Sequence, residues 1–137
     1  MSTKKITILS LLFSLLFLGC GLVLENSTEL SLCAVSEPSC IDNLTRIGDG
    51  LLYGMSALAF VFFLLLFLPS AFPAWKKFAV WFIPIAALFF IFYTDPGSGD
   101  YFSPYPVQVF KWVSVLYVVL SVIIISLNSL KTKNNLL

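Results

Sequence analysis

Two cysteines in the first polar segment are the residues best placed to do chemistry. Cys33 and Cys40 lie in the stretch CAVSEPSC, between two long apolar runs. In an oxidising compartment such a pair forms a structural disulfide. The bond would close a loop of about eight residues and would stabilise the fold by about 2 to 3 kcal/mol in the chain-entropy model. We therefore predict a disulfide between Cys33 and Cys40.

The same two cysteines offer a second chemistry, that of a membrane thiol-disulfide oxidoreductase. Such enzymes favour C-x-x-C spacing, a neighbouring base that lowers a thiol pKa, and a second pair that passes electrons on. None of these accompanies Cys33 and Cys40 in the sequence. The redox function is therefore the less favoured alternative. A zinc site is disfavoured too, because the segment supplies only two soft ligands.

The chain contains no His. This removes the usual proton shuttle at neutral pH, the usual haem ligand and Ser-His-Asp chemistry. The sequence also has no P-loop, no Rossmann glycine pattern and no metalloprotease helix motif. We therefore expect no catalytic residue, no metal ligand and no cofactor, and we predict that the protein is not an enzyme.

Lys111 is a charged residue inside an otherwise apolar run. An ammonium group at membrane depth costs free energy unless it is paired or reaches the headgroups. One hypothesis is an ion pair with Asp95 or Asp100 of the preceding polar segment, or with Asp49. The alternative is that the helix begins near Lys111, so that its amine extends to the outer headgroups.

The composition indicates what kind of element must hold these residues. The 137 residues are 59% hydrophobic and only 11% charged, and 14 of them are Phe. The mean hydropathy is +0.98. A soluble globular domain carries roughly 25% charged residues and could not hide this much apolar surface in so short a chain. The sequence is that of a membrane protein.

Four apolar runs approach the ~30 Å thickness of the hydrocarbon layer at about 1.5 Å per residue. The predicted spans are residues 6–24, 51–68, 76–93 and 107–127. The predicted outer loops are 25–50 and 94–106, and the inner loop is 69–75. Lipid offers no partner to backbone N–H and C=O groups, so the spans must be helices. The predicted fold is all-α: one transmembrane domain, 1–137, forming an antiparallel four-helix bundle.

The basic residues predict the orientation of the bundle. Lys and Arg are concentrated in cytoplasmic segments, whereas acidic residues contribute little. Placing the N-terminus inside puts six of the eight basic residues on the cytoplasmic side. They are Lys4, Lys5, Lys76, Lys77, Lys131 and Lys133. We therefore expect both termini to be cytoplasmic, and a bacterial cytoplasmic membrane is the expected location.

Cys20 ends a stretch that resembles the lipobox of bacterial lipoproteins, at which the chain is cleaved and the Cys is lipidated. The resemblance covers Phe17, Leu18, Gly19 and Cys20. It departs from the family pattern where Phe17 replaces the usual Leu and Leu18 replaces the usual small residue. The apolar run also continues past Cys20, whereas a mature lipoprotein begins with a polar tether. An uncleaved first span is favoured, and lipidation at Cys20 is the alternative.

Small residues and one proline predict how the spans pack. Gly50 and Gly54 form a G-x-x-x-G motif, and Ser56 extends this small-residue patch, where helices could approach closely. Pro84 lies in the middle of the third span and removes one helical hydrogen bond, to the carbonyl of Val80. We predict helix contacts at the former and a kink at the latter.

Because catalytic motifs are missing, we expect a non-catalytic accessory, assembly or interaction subunit. The expected partners are the bilayer and either other membrane proteins or further copies of the chain, with no nucleic acid. A small oligomeric channel or transporter is the alternative. The chain resembles the small multidrug-resistance transporters in size and hydropathy. It lacks the membrane-embedded Glu of their first span, since Glu25 lies at the end of that span.

Overall fold

The computed structural model describes residues 3–34, 36–93 and 104–134, the last three without their side chains. Four helices account for most of these residues: α1 (Thr3–Glu25), α2 (Pro38–Phe67), α3 (Phe72–Phe92) and α4 (Pro106–Asn134). A short 3₁₀ turn, Pro69–Ala71, joins α2 to α3. Each helix is long and apolar enough to cross a membrane. The prediction of an all-α membrane protein with four spanning helices is confirmed.

Helix α2 begins at Pro38, well before the span predicted at 51–68. Proline suits the first helical position, because the N–H that it lacks would have no partner inside the helix. The added segment mixes polar and apolar residues, so hydropathy alone assigned it to a loop. As a consequence, Cys40, Arg46 and Asp49 lie on a helix rather than in a loop.

The connection from α1 to α2 is ordered by local hydrogen bonds. The Asn26 side-chain amide donates to the Leu22 carbonyl at 2.9 Å. The backbone N–H of Leu32 donates to the Ser27 carbonyl at 2.8 Å. Ser31 turns the chain in the left-handed region, at φ 56°. The polar segment between the two helices therefore forms a turn that local hydrogen bonds stabilise.

Helix α1 packs against α2 along a stripe of small residues. Its buried residues are Thr7, Ser14 and Gly21, each seven positions from the next. This spacing is typical of helices that cross at a shallow angle. The Thr7 and Ser14 hydroxyls donate to carbonyls of their own helix, at 3.0 and 2.8 Å. The stripe therefore packs without leaving these two hydroxyls unpaired.

The closest approach of α1 and α2 is at two glycines. A Cβ added to Gly48 would lie 2.6 Å from the backbone nitrogen of Glu25. A Cβ added to Gly21 would lie 2.9 Å from the backbone nitrogen of Leu52. Both obstacles are main-chain atoms, which cannot rotate away as a side chain can. Only glycine allows this separation of the two helices.

The hydrophobic core lies among α2, α3 and α4. Trp75 of α3 is buried at its centre, with its ring 5.2 Å from that of Phe62 on α2. Its indole N–H donates to the hydroxyl of Ser121 on α4, at 3.3 Å. Among the described residues, the buried members are Ala57, Val61, Leu65, Ala71, Trp75, Ala79, Tyr117 and Ile125.

Pro84 lies inside α3, and the helix continues through it. A kink there stays a prediction. The helix ends at Phe92, and the hydroxyl of the next residue, Tyr93, donates to the carbonyl of Pro104 at 2.8 Å. This bond ties the end of α3 to the start of α4.

Candidate functional site

A half-open cavity of about 590 Å³ lies between α2 and α3, with α4 as its floor. Its walls combine glycine and alanine with larger apolar residues, and its floor includes the buried ring of Phe110. The principal lining residues are Gly50, Gly54, Met55, Ala57, Ile83, Ala86, Ala87, Phe90, Phe110 and Ser114. Its polar lining residues are Asn43 and Arg46 at one end and Ser114 and Tyr117 on the floor, and the rest of its lining is apolar.

The cavity exists because two consecutive helices are held apart. Helix α3 packs against α4, whereas its backbone makes few close approaches to that of α2. Large side chains bridge α2 and α3 at both ends: Arg46 at one, Phe62 with Trp75 at the other. Between these bridges, the Phe90 ring lies beside Gly50 and Gly54, and the small glycine and alanine residues leave the remaining space unfilled. The sequence predicted an antiparallel bundle but not this separation.

Arg46 caps the end of α3. Its Nη2 atom donates to the carbonyl of Ile91 at 2.7 Å and to that of Phe90 at 3.4 Å. The last carbonyls of a helix lack intrahelical partners and carry partial negative charge. A guanidinium group suits that position, because it combines a fixed positive charge with several donors. The bonds fix the first half of α2 to the end of α3.

The floor of the cavity includes two buried residues that carry hydroxyl groups, Ser114 and Tyr117. Ser114 is buried, and its Oγ has no hydrogen-bond partner among the described residues. An unpaired buried hydroxyl costs free energy, on the order of 1 to 3 kcal/mol. The unpaired hydroxyl therefore destabilises α4 locally, at the point where the helix faces the cavity.

The predicted packing residues of α2 do not meet a helix backbone. Positions for a Cβ on Gly50 and Gly54 lie 3.7 and 3.6 Å from the ring of Phe90, which is ordinary contact. Ser56 is exposed, and its hydroxyl donates to the Tyr53 carbonyl at 2.9 Å. The G-x-x-x-G motif thus faces an aromatic ring across the cavity. The glycines that do allow close approach are Gly21 and Gly48.

Lys111 does not line the cavity and lies instead in a second groove between α2 and α4. Its Nζ is 5.3 Å from the centre of the Tyr53 ring, within the range of a cation–π contact. The charge of Lys111 also acts on Asp49, which is buried on α2, but no ion pair forms between them among the described contacts. The other predicted partners, Asp95 and Asp100, lie outside the described residues.

The predicted disulfide is confirmed. Cys33 and Cys40 are bonded, with their Cα atoms 6.0 Å apart. Cys33 is buried in the connection, and Cys40 lies in the first turn of α2. The bond therefore fixes the connection to the start of α2. Cys20 is a free and exposed thiol on α1, which continues past it to Glu25. Lipidation at Cys20 stays a prediction.

Sequence reasoning missed Arg46, although a signal was present. Pro38 is a typical first residue of a helix. Had the helix been predicted to begin there, Arg46 would have been placed on it, one turn before the glycine motif. The contact between Gly21 and Gly48 had no comparable signal, because glycine spacing does not tell which helix a glycine faces.

Across the described ranges, no three His, Cys, Asp or Glu side chains gather in a way that could hold a metal ion. Comparisons with protein-family models, with curated proteins and with solved structures return no match. Functional conclusions for this chain therefore depend on its own geometry and chemistry.

Proposed function

We propose that the protein is a non-catalytic integral membrane subunit that acts by helix packing, as an accessory or assembly partner of another membrane protein. The observation that supports this most directly is that polar side chains form hydrogen bonds from one structural element to another. Arg46 binds the end of α3, Trp75 binds Ser121, and the Asn128 amide donates to the Ser70 carbonyl at 3.1 Å. Each of these groups holds two elements together.

A surface for the partner is available on α1. This helix is attached chiefly to α2, and a row of large apolar residues on it is exposed. The row is Leu9, Leu12, Phe13 and Leu16. Its spacing of i, i+3, i+4 and i+7 forms one helix face, as helix docking requires. We assign the partner contact to this face and expect a transmembrane helix as its counterpart.

We further propose the cytoplasmic membrane of a bacterium as the location, with both termini inside. The lysine distribution supports the orientation. The Cys33–Cys40 bond supports an oxidising compartment for the connection between α1 and α2.

Site-specific photo-crosslinking tests this function. A photoreactive amino acid replaces Leu12 on α1 or, as a control, Trp81 on α3, which is also exposed. The expected result is one discrete cross-linked protein from position 12, the same species that copurifies in mild detergent, and none from position 81. Equal products from both positions, or lipid adducts alone, would contradict the proposal. Solute uptake into proteoliposomes of the purified chain would instead favour a transporter.

A further inference from the structure

We propose that the cavity between α2 and α3 binds one acyl chain of an anionic phospholipid, whose phosphate is held at Arg46. This goes beyond the packing function, which involves the opposite side of the molecule. The inference depends on where the cavity opens, on its dimensions and on the chemistry at its outer end.

The cavity opens sideways, away from α4. Its rim residues Ile47 on α2 and Ile91 on α3 are 53% and 66% exposed, whereas Phe110 on the floor is buried. In a membrane, the medium beside the spanning part of such an opening is lipid hydrocarbon. Away from Arg46 and Asn43, its lining offers ordered water only the hydroxyls of Ser114 and Tyr117 as partners. Acyl chains are the molecules that are both present there and chemically suited to enter.

The length of the cavity matches one leaflet. Along α2 its lining extends from Asn43 to Leu58, which is about 22 Å at 1.5 Å per residue. One leaflet with its headgroups is about 20 Å thick, half of the ~40 Å bilayer. Arg46 lies about 7.5 Å outside residue 51, where the predicted hydrocarbon span begins. This places the guanidinium at headgroup depth and the part of the cavity from Leu51 to Leu58 at acyl depth.

The volume of the cavity distinguishes an acyl chain from a helix. The cavity volume of about 590 Å³ is many times what one water-sized group needs, so an acyl chain has room to enter. An acyl chain is narrow, whereas a helix is about 11 Å in diameter. The cavity therefore suits a lipid tail better than a partner helix.

Arg46 supplies the preference for an anionic headgroup. It is the charged residue among those that line the cavity, and its two bonds to α3 use only Nη2. The N–H groups of Nε and Nη1 have no acceptor among the described residues, and neighbouring Asp42 forms no ion pair with it there. Guanidinium binds phosphate oxygens through paired N–H donors. Asn43, one turn outward, adds an amide at the same mouth.

The first test uses the unaltered chain in phosphatidylcholine vesicles. A minor fraction of phosphatidylglycerol or, in parallel, of phosphatidylcholine carries a photoreactive group in its acyl chain. After illumination, mass spectrometry maps the adducts. We expect them to concentrate on the cavity residues Met55 and Ala87, with about tenfold more from phosphatidylglycerol. Adducts spread evenly onto exposed faces such as Trp81, or equal labelling by both lipids, would overturn the proposal.

Two variants assign the tail and headgroup contacts. Gly54→Leu fills the cavity and should reduce adducts at Met55 and Ala87 about tenfold, whereas Gly19→Leu should not. Gly19 is the matched control, because nothing lies within 4 Å of a Cβ there. Unchanged labelling of Gly54→Leu would overturn the tail site. If that variant does not fold, Ala86→Leu fills the cavity from the opposite wall.

Arg46→Gln should abolish the preference for phosphatidylglycerol while acyl labelling by phosphatidylcholine persists. A preference that survives this change would overturn the assignment of the phosphate to Arg46. A copurifying protein that occupies the cavity and displaces the lipid probe would also overturn the proposal.

Discussion

The contact between α1 and α2 at Gly48 requires a residue without a Cβ atom. A methyl group at this position would press on the backbone of α1, so Gly48→Ala should separate the two helices or bend one of them. Overpacking of this kind costs about 1 to 3 kcal/mol. We expect a lower unfolding temperature in detergent.

Gly19→Ala is the matched control for Gly48→Ala. Both changes add a methyl group to a helical glycine and improve helix propensity by about 1 kcal/mol. Because position 19 is open, that variant should be neutral or more stable. The same response of both variants would mean that the α1–α2 contact does not require glycine.

Trp75 and Trp81 test the buried hydrogen bond between α3 and α4. Trp75 is 3% exposed and bonds Ser121, whereas Trp81 on the same helix is 76% exposed. Trp75→Phe removes the donor and leaves a small gap, so it should lower the free energy of unfolding by about 1 to 3 kcal/mol. Trp81→Phe should change it by less than about 0.5 kcal/mol. Titration with a denaturing detergent measures both, and equal losses would contradict the prediction.

At the residue scale, the disulfide could be predicted from the sequence, whereas the hydrogen bonds of Arg46 could not. Cys33 and Cys40 could be paired because they are close in the chain and chemically specific. Arg46 could not be assigned to the end of α3, because its partners, the carbonyls of Phe90 and Ile91, are main-chain atoms that any residue provides. Contacts to backbone leave no trace in residue type.

The disulfide acts on an element, since it fixes the start of α2. In the chain-entropy model, the loop that it closes is worth about 2.5 kcal/mol. Cys33→Ser and Cys40→Ser should each destabilise the protein by about this amount, and hydrogen exchange should increase in the first turns of α2. Cys20→Ser, which removes a free and exposed thiol, is the control. Reductant should destabilise the unaltered protein more than it destabilises the Cys33→Ser variant. Equal effects on the two proteins would mean that the bond contributes nothing to stability.

Helix existence was readable from the sequence, whereas helix boundaries and faces were only partly so. Four apolar runs gave four helices, because lipid leaves the backbone no other choice. The start of α2 was placed too late, since residues 38–50 are too polar for a hydropathy criterion. The side of α2 that meets α1 was hidden, because an apolar helix in lipid has no polar face to mark its exterior.

At the scale of the molecule, the orientation of the bundle is open to a direct test. In a Cys20→Ser background, Glu29→Cys and Lys77→Cys place single exposed thiols on opposite predicted sides. In intact cells, a membrane-impermeant maleimide should label position 29 and leave position 77 unlabelled. Permeabilised cells should show both. Labelling of position 77 in intact cells would reverse the predicted topology.

The arrangement of the helices was the least predictable level. A short Pro-containing turn joins α2 to α3, yet α3 packs against α4 and leaves a cavity beside α2. The turn holds only the end of α2 close to the start of α3 and does not determine the distance between the two helices elsewhere. Which helices pack elsewhere depends on the fit of large side chains such as Phe62 and Trp75, which residue spacing does not encode.

The near-exclusive pairing of α1 with α2 has a consequence for biosynthesis. Nearly all the contacts of α1 are with the next helix to leave the ribosome. The first two helices can therefore enter the bilayer as a packed hairpin, with the Cys33–Cys40 bond fixing the connection to the start of α2, while the remainder is still being translated. The second half of the chain would then be added to a template that already stands in the membrane.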